Sequence, residues 1–452
     1  MRRALAAALA AALWACASLP GTPSAPPLAA DLGVADGGGS PAQVVLVSVG
    51  GLTPDRYAPG GGMPALATLA AAGVAADGLD PVVPAAARAA HATLVSGVAP
   101  SEHGVIADRL LGERGLRRSE ARHASLLRAT TLWQRVAEAG GTVAALDWPT
   151  TLGAEIETLL PDVGPERQGE TWRGLVARAA TPWIGTRVAE ADPAVDAPGA
   201  ARDPLLVELA CSALELGPRL VLLRLRGAEV ALVAGGPRGA GVAAAFARVD
   251  RELARLVECT ERAGRLADTA FVVVGDRALL ATHTAFRPNV VLRAADLIGA
   301  QGRWKAIARS NGGSTFVYAS DGRAALAARR LLEKTAGETR AFRVVSAEEM
   351  IQRQADPDAW FGLEAEPGFV FEDDHRGDAL GPARARAAGG YLREDAAART
   401  GFVAYGRGVR RGVEVPRMSQ LDVAPTLAPL LGVTLERAVG RALIGLLRPE
   451  RG

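Results

Sequence analysis

Few side chains in this sequence could ligate a metal or act as a nucleophile. Histidine occurs only at positions 91, 103, 123, 283 and 375. His123 and His283 stand alone, and a lone histidine is more often a satisfied surface or core residue than a metal ligand. His375 closes Asp373-Asp374-His375, which could take a stray metal but reads better as part of a flexible, solvated acidic stretch over 372–386. Thr93 and Ser96 offer hydroxyls, but one to two turns along a helix rather than at its N-terminus, where backbone N–H groups would help a nucleophile.

The elements that must position these residues follow from the hydrophobic pattern. VVLVSV from Val44 is a continuous β-branched run, suited to a buried parallel strand. Further strands are expected at 143–147, 221–225, 270–274 and 402–405. Helices are expected at 63–73, around 91–96, and at 205–216, 241–263 and 422–431, the last ending at Gly432. This alternation predicts an α/β fold with a mainly parallel sheet and helices on both faces. After Pro288 the pattern changes. Residues 315–319, 323–336 and 341–345 read as a compact βαβ unit, so 285–395 is expected to be a smaller inserted α+β subdomain of a domain spanning 42–436, with 437–452 as a tail.

The 452 residues can bury a sizeable core, built mainly from Ala, Val and Leu because aromatics make up only 4%. Net charge is +2, and 0 without Arg2 and Arg3, which gives no electrostatic reason to expect nucleic acid. Arg2-Arg3 and the short apolar stretch 4–13 resemble an export signal over 1–17. Leu13-Trp14-Ala15-Cys16 resembles a lipobox that would place a lipid on Cys16, whereas Ala15-Cys16-Ala17 would suit ordinary cleavage. The Pro/Gly/Ser-rich segment 18–41 reads as a flexible tether. The expected location is therefore the periplasm or cell envelope, with membrane attachment only through that lipid. Cys211 and Cys259 read as buried thiols, and a disulfide between them stays open.

Several segments, in order along the chain, resemble one family. VVLVSVGGLTPD (44–55) is similar to a first strand and turn. PVVPAAARAAHATLVSGVAPSEHGV (81–105) is similar to a nucleophile segment. TLWQRVAEAGGTVAALDWPTTLGA (131–154), AFVVVGDRALL (270–280), RPNVVL (287–292), FVAYGRGVRRGVEVP (402–416) and LDVAPTLAPLLGV (421–433) continue the match. Together they resemble the alkaline phosphatase superfamily, in its type I phosphodiesterase/nucleotide pyrophosphatase branch. The resemblance implies two zinc-type ions, held by Asp and His, and a Thr or Ser nucleophile at a helix N-terminus.

Carried over position by position, the resemblance places the first-strand Asp on Gly50, the nucleophile on Ala87 and the phosphoryl-contacting Asn on Ala90. An Asp/His pair falls on Glu229 and Val233, a second on Asp276 and Arg277, and the last His on Gly389. His91 and His103 match the family's non-ligand histidines and are expected to be structural. Two arrangements of the remaining charges are expected. In one, Arg277 lies between Glu229 and Asp276 as a salt-bridged plug. In the other, Arg88 or Arg277 joins the helix N-terminus at Ala87 to grip an anion. The sequence therefore predicts an exported pseudoenzyme with no metal cofactor. Its role would be binding or scaffolding, with an envelope protein or an anionic small ligand as partner. The alternative is a metal-dependent phosphoesterase with a rearranged site.

Overall fold

The computed structural model describes residues 42–112, 115–197, 199, 201–393 and 396–448. The signal segment, the tether and Cys16 lie outside the described residues.

The first strand, β1 (Gln43–Val49), is buried along its whole length, including the polar Gln43 and Ser48. Its side chains divide by the two-residue period of a strand. Val45, Val47 and Val49 face one hydrophobic cluster, and Val44 and Leu46 face the other. The main-sheet elements then run α1 (Pro64–Ala72), β2 (Val74–Asp80), α2 (Ala87–Ser96), β3 (Val143–Trp148), β4 (Thr158–Pro161), α3 (Asp203–Glu215), β5 (Leu220–Leu225), α4 (Gly227–Gly235), α5 (Val242–Arg262), β6 (Thr269–Gly275), β7 (Thr400–Gly406), β8 (Val413–Val415) and α6 (Val423–Leu430).

The sheet order is β8-β2-β7-β6-β1-β5-β3-β4, with Met418–Ser419 also paired to β2. β1 is parallel to both β5 and β6. Only β7 runs against its neighbours β2 and β6. Leu66 and Leu69 of α1, Leu209 of α3 and Phe246 and Leu253 of α5 cover one face. Leu94 of α2 and Val423 and Leu427 of α6 cover the other. The expected α/β sheet with helices on both faces is present.

Three expectations need correction. Cys211 of α3 and Cys259 of α5 are not free thiols: they form a disulfide with a Cα–Cα distance of 5.7 Å. The segments 314–319 and 342–345 do not pair as a βαβ unit. Phe361–Ala365 lies between them, antiparallel to both, in a four-stranded sheet completed by Ala306–Ser310. Residues 437–448 pack back onto the main body instead of trailing away. Leu446 is buried in the α6-side cluster, and Leu447 bridges Val409.

Candidate functional site

A cavity of about 1010 Å³ lies over the carboxyl ends of the central strands, where open α/β sheets take their ligands. Ala87 and Arg88 enter it from the start of α2, Glu229 and Val233 from α4, Arg277 from the turn after β6, and Gly389 from the loop after Ala387–Ala388. Gly50, at the end of β1, lies against Glu229, and Asp276 lies directly behind Arg277. Ala90 is the exception: it is fully buried within α2 and does not line the cavity.

Arg277 joins the two carboxylates. Its Nη2 donates to Glu229 Oε1 at 2.5 Å, and its Nη1 makes a short ion pair with Asp276 Oδ2. Asp276 Oδ1 also accepts the Arg277 amide at 2.8 Å. Glu229 Oε2 takes Arg226 Nε at 3.2 Å and Arg224 Nη2 at 3.4 Å. Burial pushes both carboxyls up. At Glu229 the three arginines, Arg277 foremost, win and hold it well below its ordinary range. Asp276 stays raised, because its complete burial outweighs Arg277.

Two glycines make room for this arrangement. A Cβ on Gly389 would stand 2.6 Å from Arg277 Cδ, and one on Gly50 would stand 2.7 Å from Glu229 Cβ. Contacts that short force something to move, so the space beside each glycine is already filled by the ion cluster.

The N-terminus of α2 is filled as well. The Arg88 amide donates to Asp108 Oδ1 at 2.9 Å, so a carboxylate already takes this helix-start N–H. Burial would raise Asp108, but Arg88, Arg277, its bond to the Arg88 amide and Arg224 hold it below its ordinary value. The Arg88 guanidinium is enclosed by acceptors. Nη1 meets Glu120 Oε2 at 2.7 Å and the Asp108 carbonyl at 3.1 Å, and Nη2 meets Asp162 Oδ2 at 2.7 Å. Arg122 adds a second cation to Asp162 at 3.1 Å. Arg88 and Arg277 are the residues expected to grip an external anion. The terminal nitrogens of both already face carboxylates of the chain.

The histidines fill structural places. His91 Nδ1 lies 2.6 Å from the Ala87 carbonyl, and its ring packs edge-on against Trp148. His103 bridges Thr93 Oγ1 and the Val105 amide, each at 3.1 Å. Thr93 and Ser96 bond to the carbonyls of Val98 and Ala92. His283 Nδ1 pairs with Thr284 Oγ1 at 2.8 Å. The stretch 372–386 is anchored rather than a free solvated loop. Glu372 takes Arg287 at 2.8 Å, Asp374 takes Arg384 at 2.8 Å, and Leu380–Pro382 pairs with Leu280–Phe286.

Sequence reasoning missed Asp108, Glu120, Asp162, Asp147, Arg202, Arg224 and Arg226. The available signal was VLLRLR (221–226), where two arginines interrupt an otherwise apolar strand end.

The donor set does not fit two zinc-type ions. Each would need about three protein side chains, and this part of the cavity offers Glu229 and Asp276, both bonded to Arg277. Among the described residues no group of three or more His, Cys, Asp and Glu is arranged to hold a metal ion.

A mainly parallel sheet with helices on both faces and a charged cavity over its strand ends defines an open α/β protein of the doubly wound type. Residues 44–391 match the family described as type I phosphodiesterase / nucleotide pyrophosphatase, and the chain belongs to that family. In fold it is similar to murine and human ectonucleotide pyrophosphatase/phosphodiesterase 5. Each shares 17% identity with a TM-score of 0.65, covering 90% of this chain and 100% of the other. An inactive variant of the murine protein in complex with AMP aligns equally well. No curated protein matches the sequence.

Proposed function

We propose that this chain is an exported, catalytically inactive member of its family, with a binding or scaffolding role in the cell envelope. The observation that carries the reading is the Arg277 cluster. A fixed guanidinium stands between Glu229 and Asp276, in the volume where the resemblance would put a divalent ion. Its charge opposes any cation there, and Gly50 and Gly389 leave space for it. The position implied for the nucleophile is Ala87, whose methyl has no oxygen to attack phosphorus. A rearranged hydrolytic site has only the fold and Asp276 in its favour, and fold does not imply function.

Export is supported by the Arg2-Arg3 start with its short apolar run, and by the Cys211–Cys259 disulfide, a bond that persists in oxidising compartments. Anchoring through Cys16 predicts that Cys16→Ser releases the protein from the membrane fraction. Retention of that variant would refute the anchor.

Catalytic silence is tested by zinc content together with turnover of an aryl phosphodiester, a phosphomonoester and a nucleotide. The expected result is no stoichiometric zinc and no hydrolysis above background. Zinc at one or two equivalents, with turnover abolished by chelator, would overturn the proposal.

A further inference from the structure

We infer that the part of the cavity where Arg202, Arg224 and Arg226 line its wall binds the oxyanion group, phosphate or carboxylate, of a small organic molecule. Arg224 stands near the carboxyl end of β5, in register with Ser48 of β1, and is 3% exposed. Its Nε is buried without a hydrogen-bond partner. Among the described residues its side chain makes one hydrogen bond, the 3.4 Å contact with Glu229. A guanidinium taken out of water is costly unless its donors are met.

The neighbours do not meet them. Glu229 is shared with Arg277 at 2.5 Å and Arg226 at 3.2 Å, so three guanidinium groups divide one carboxylate. The side chain of Arg226 is 30% exposed, and among the described residues its terminal nitrogens make no hydrogen bond. Arg202 is held over the Trp172 ring at 4.3 Å, with Nε and Nη2 on the carbonyls of Val195 and Asp196. Those carbonyls orient the group but do not neutralise it.

Two acids nearby are already engaged. Asp162 pairs with Arg88 and Arg122, and Asp196 with Arg173. Asp147 lies within the field of all three arginines, but among the described residues its carboxylate makes no hydrogen bond or ion pair with any of them. The cluster thus presents forked donors into a cavity far larger than an inorganic ion, and such donors match the two-oxygen edge of a phosphate or carboxylate.

The inference rests on the pseudoenzyme reading in one respect, that no metal competes for the anion. Isothermal titration calorimetry of the purified protein tests it, with sodium phosphate, sodium acetate and a sodium chloride control at matched ionic strength. Saturable binding of phosphate or acetate, but not chloride, is expected, and the tighter of the two identifies the oxyanion class. Arg224→Met and Arg226→Met should each weaken it about tenfold to a hundredfold. Arg384→Met, which lines the same cavity but pairs with Glu372 and Asp374, should change it by less than about twofold. A thermal melt shows that each variant is folded, and the more exposed Arg226 keeps the test valid if Arg224→Met does not fold. No saturable binding of either anion, or binding indifferent to both substitutions, would overturn the inference. Chelator-sensitive hydrolysis by the same sample would instead overturn the pseudoenzyme reading.

Discussion

Arg88 and Arg224 are both buried arginines in the wall of one cavity, and their surroundings are opposite. Arg88 meets Glu120 and Asp162 at 2.7 Å each and the Asp108 carbonyl at 3.1 Å. Arg224 meets one oxygen of one shared carboxylate at 3.4 Å. Both leave Nε unpaired, so the contrast lies in the terminal nitrogens. A guanidinium whose ends are enclosed by carboxylates fixes the chain segments that carry them. One that shares a single distant acceptor keeps its donors for something else.

That contrast can be broken by substitution. Arg88→Met should have the largest effect, because it removes a buried cation at 2.7 Å from two carboxylates at once, leaving Glu120 with the largely exposed Arg109 and Asp162 with Arg122 at 3.1 Å. A loss of about 2–4 kcal/mol in unfolding free energy is expected by denaturant titration. Gly50→Asp should cost about 1–3 kcal/mol through overpacking, since its Cβ would meet Glu229 Cβ at 2.7 Å. Adding Glu229→Asp should not relieve that clash, because aspartate retains the same Cβ.

Asp147 sharpens the comparison through pH. Its carboxyl is raised to about 6 by burial first and by Asp162 second. The folded chain therefore holds a proton between about pH 4 and 6 that the unfolded chain releases. Stability from this group is present below that window and is lost as pH rises through 6. Asp147→Asn, which tolerates the φ of 55° at this position, should match the parent near pH 4. Near pH 8 it should exceed the parent by about 1–3 kcal/mol in thermal or denaturant unfolding. Arg224→Met should cost less than about 1 kcal/mol, since Glu229 keeps Arg226 and Arg277. If it costs as much as Arg88→Met, the two arginines are equivalent and the contrast is wrong. Ala87→Thr should have no effect on phosphodiester turnover, because a hydroxyl alone restores no metal ligand.

The sequence was most informative where a single physical requirement dominates. The apolar runs 44–49, interrupted only at Ser48, and 270–274 are too short for helices and fit buried strands, so β1, β6 and the residues at their ends, Gly50, Asp276 and Arg277, were legible. The Glu229–Arg277–Asp276 cluster was legible too, because the resemblance placed all three on ligand positions of one site, where two carboxylates and an arginine can neutralise one another. Arg224 was not. It sits inside a run that reads as ordinary strand, and its shortage of acceptors appears only once the neighbours are placed. The acids enclosing Arg88 come from positions 108, 120 and 162, far apart in the chain, and no local pattern announces them. The Cys211–Cys259 pair depends on how α3 packs against α5, which spacing alone does not determine.

The disulfide has a consequence for survival among proteases. Cys211 and Cys259 are 48 residues apart, and the ring they close contains β5, α4 and the turn between α4 and α5. That turn, with Arg238, Ala240 and Gly241 exposed, is the type of site where proteases cut. A cut there opens the ring without separating the halves. The nicked protein would keep its mass on a non-reducing gel, with Arg224 and Arg226 still tethered to α5, and would fall into two fragments only when reductant is added.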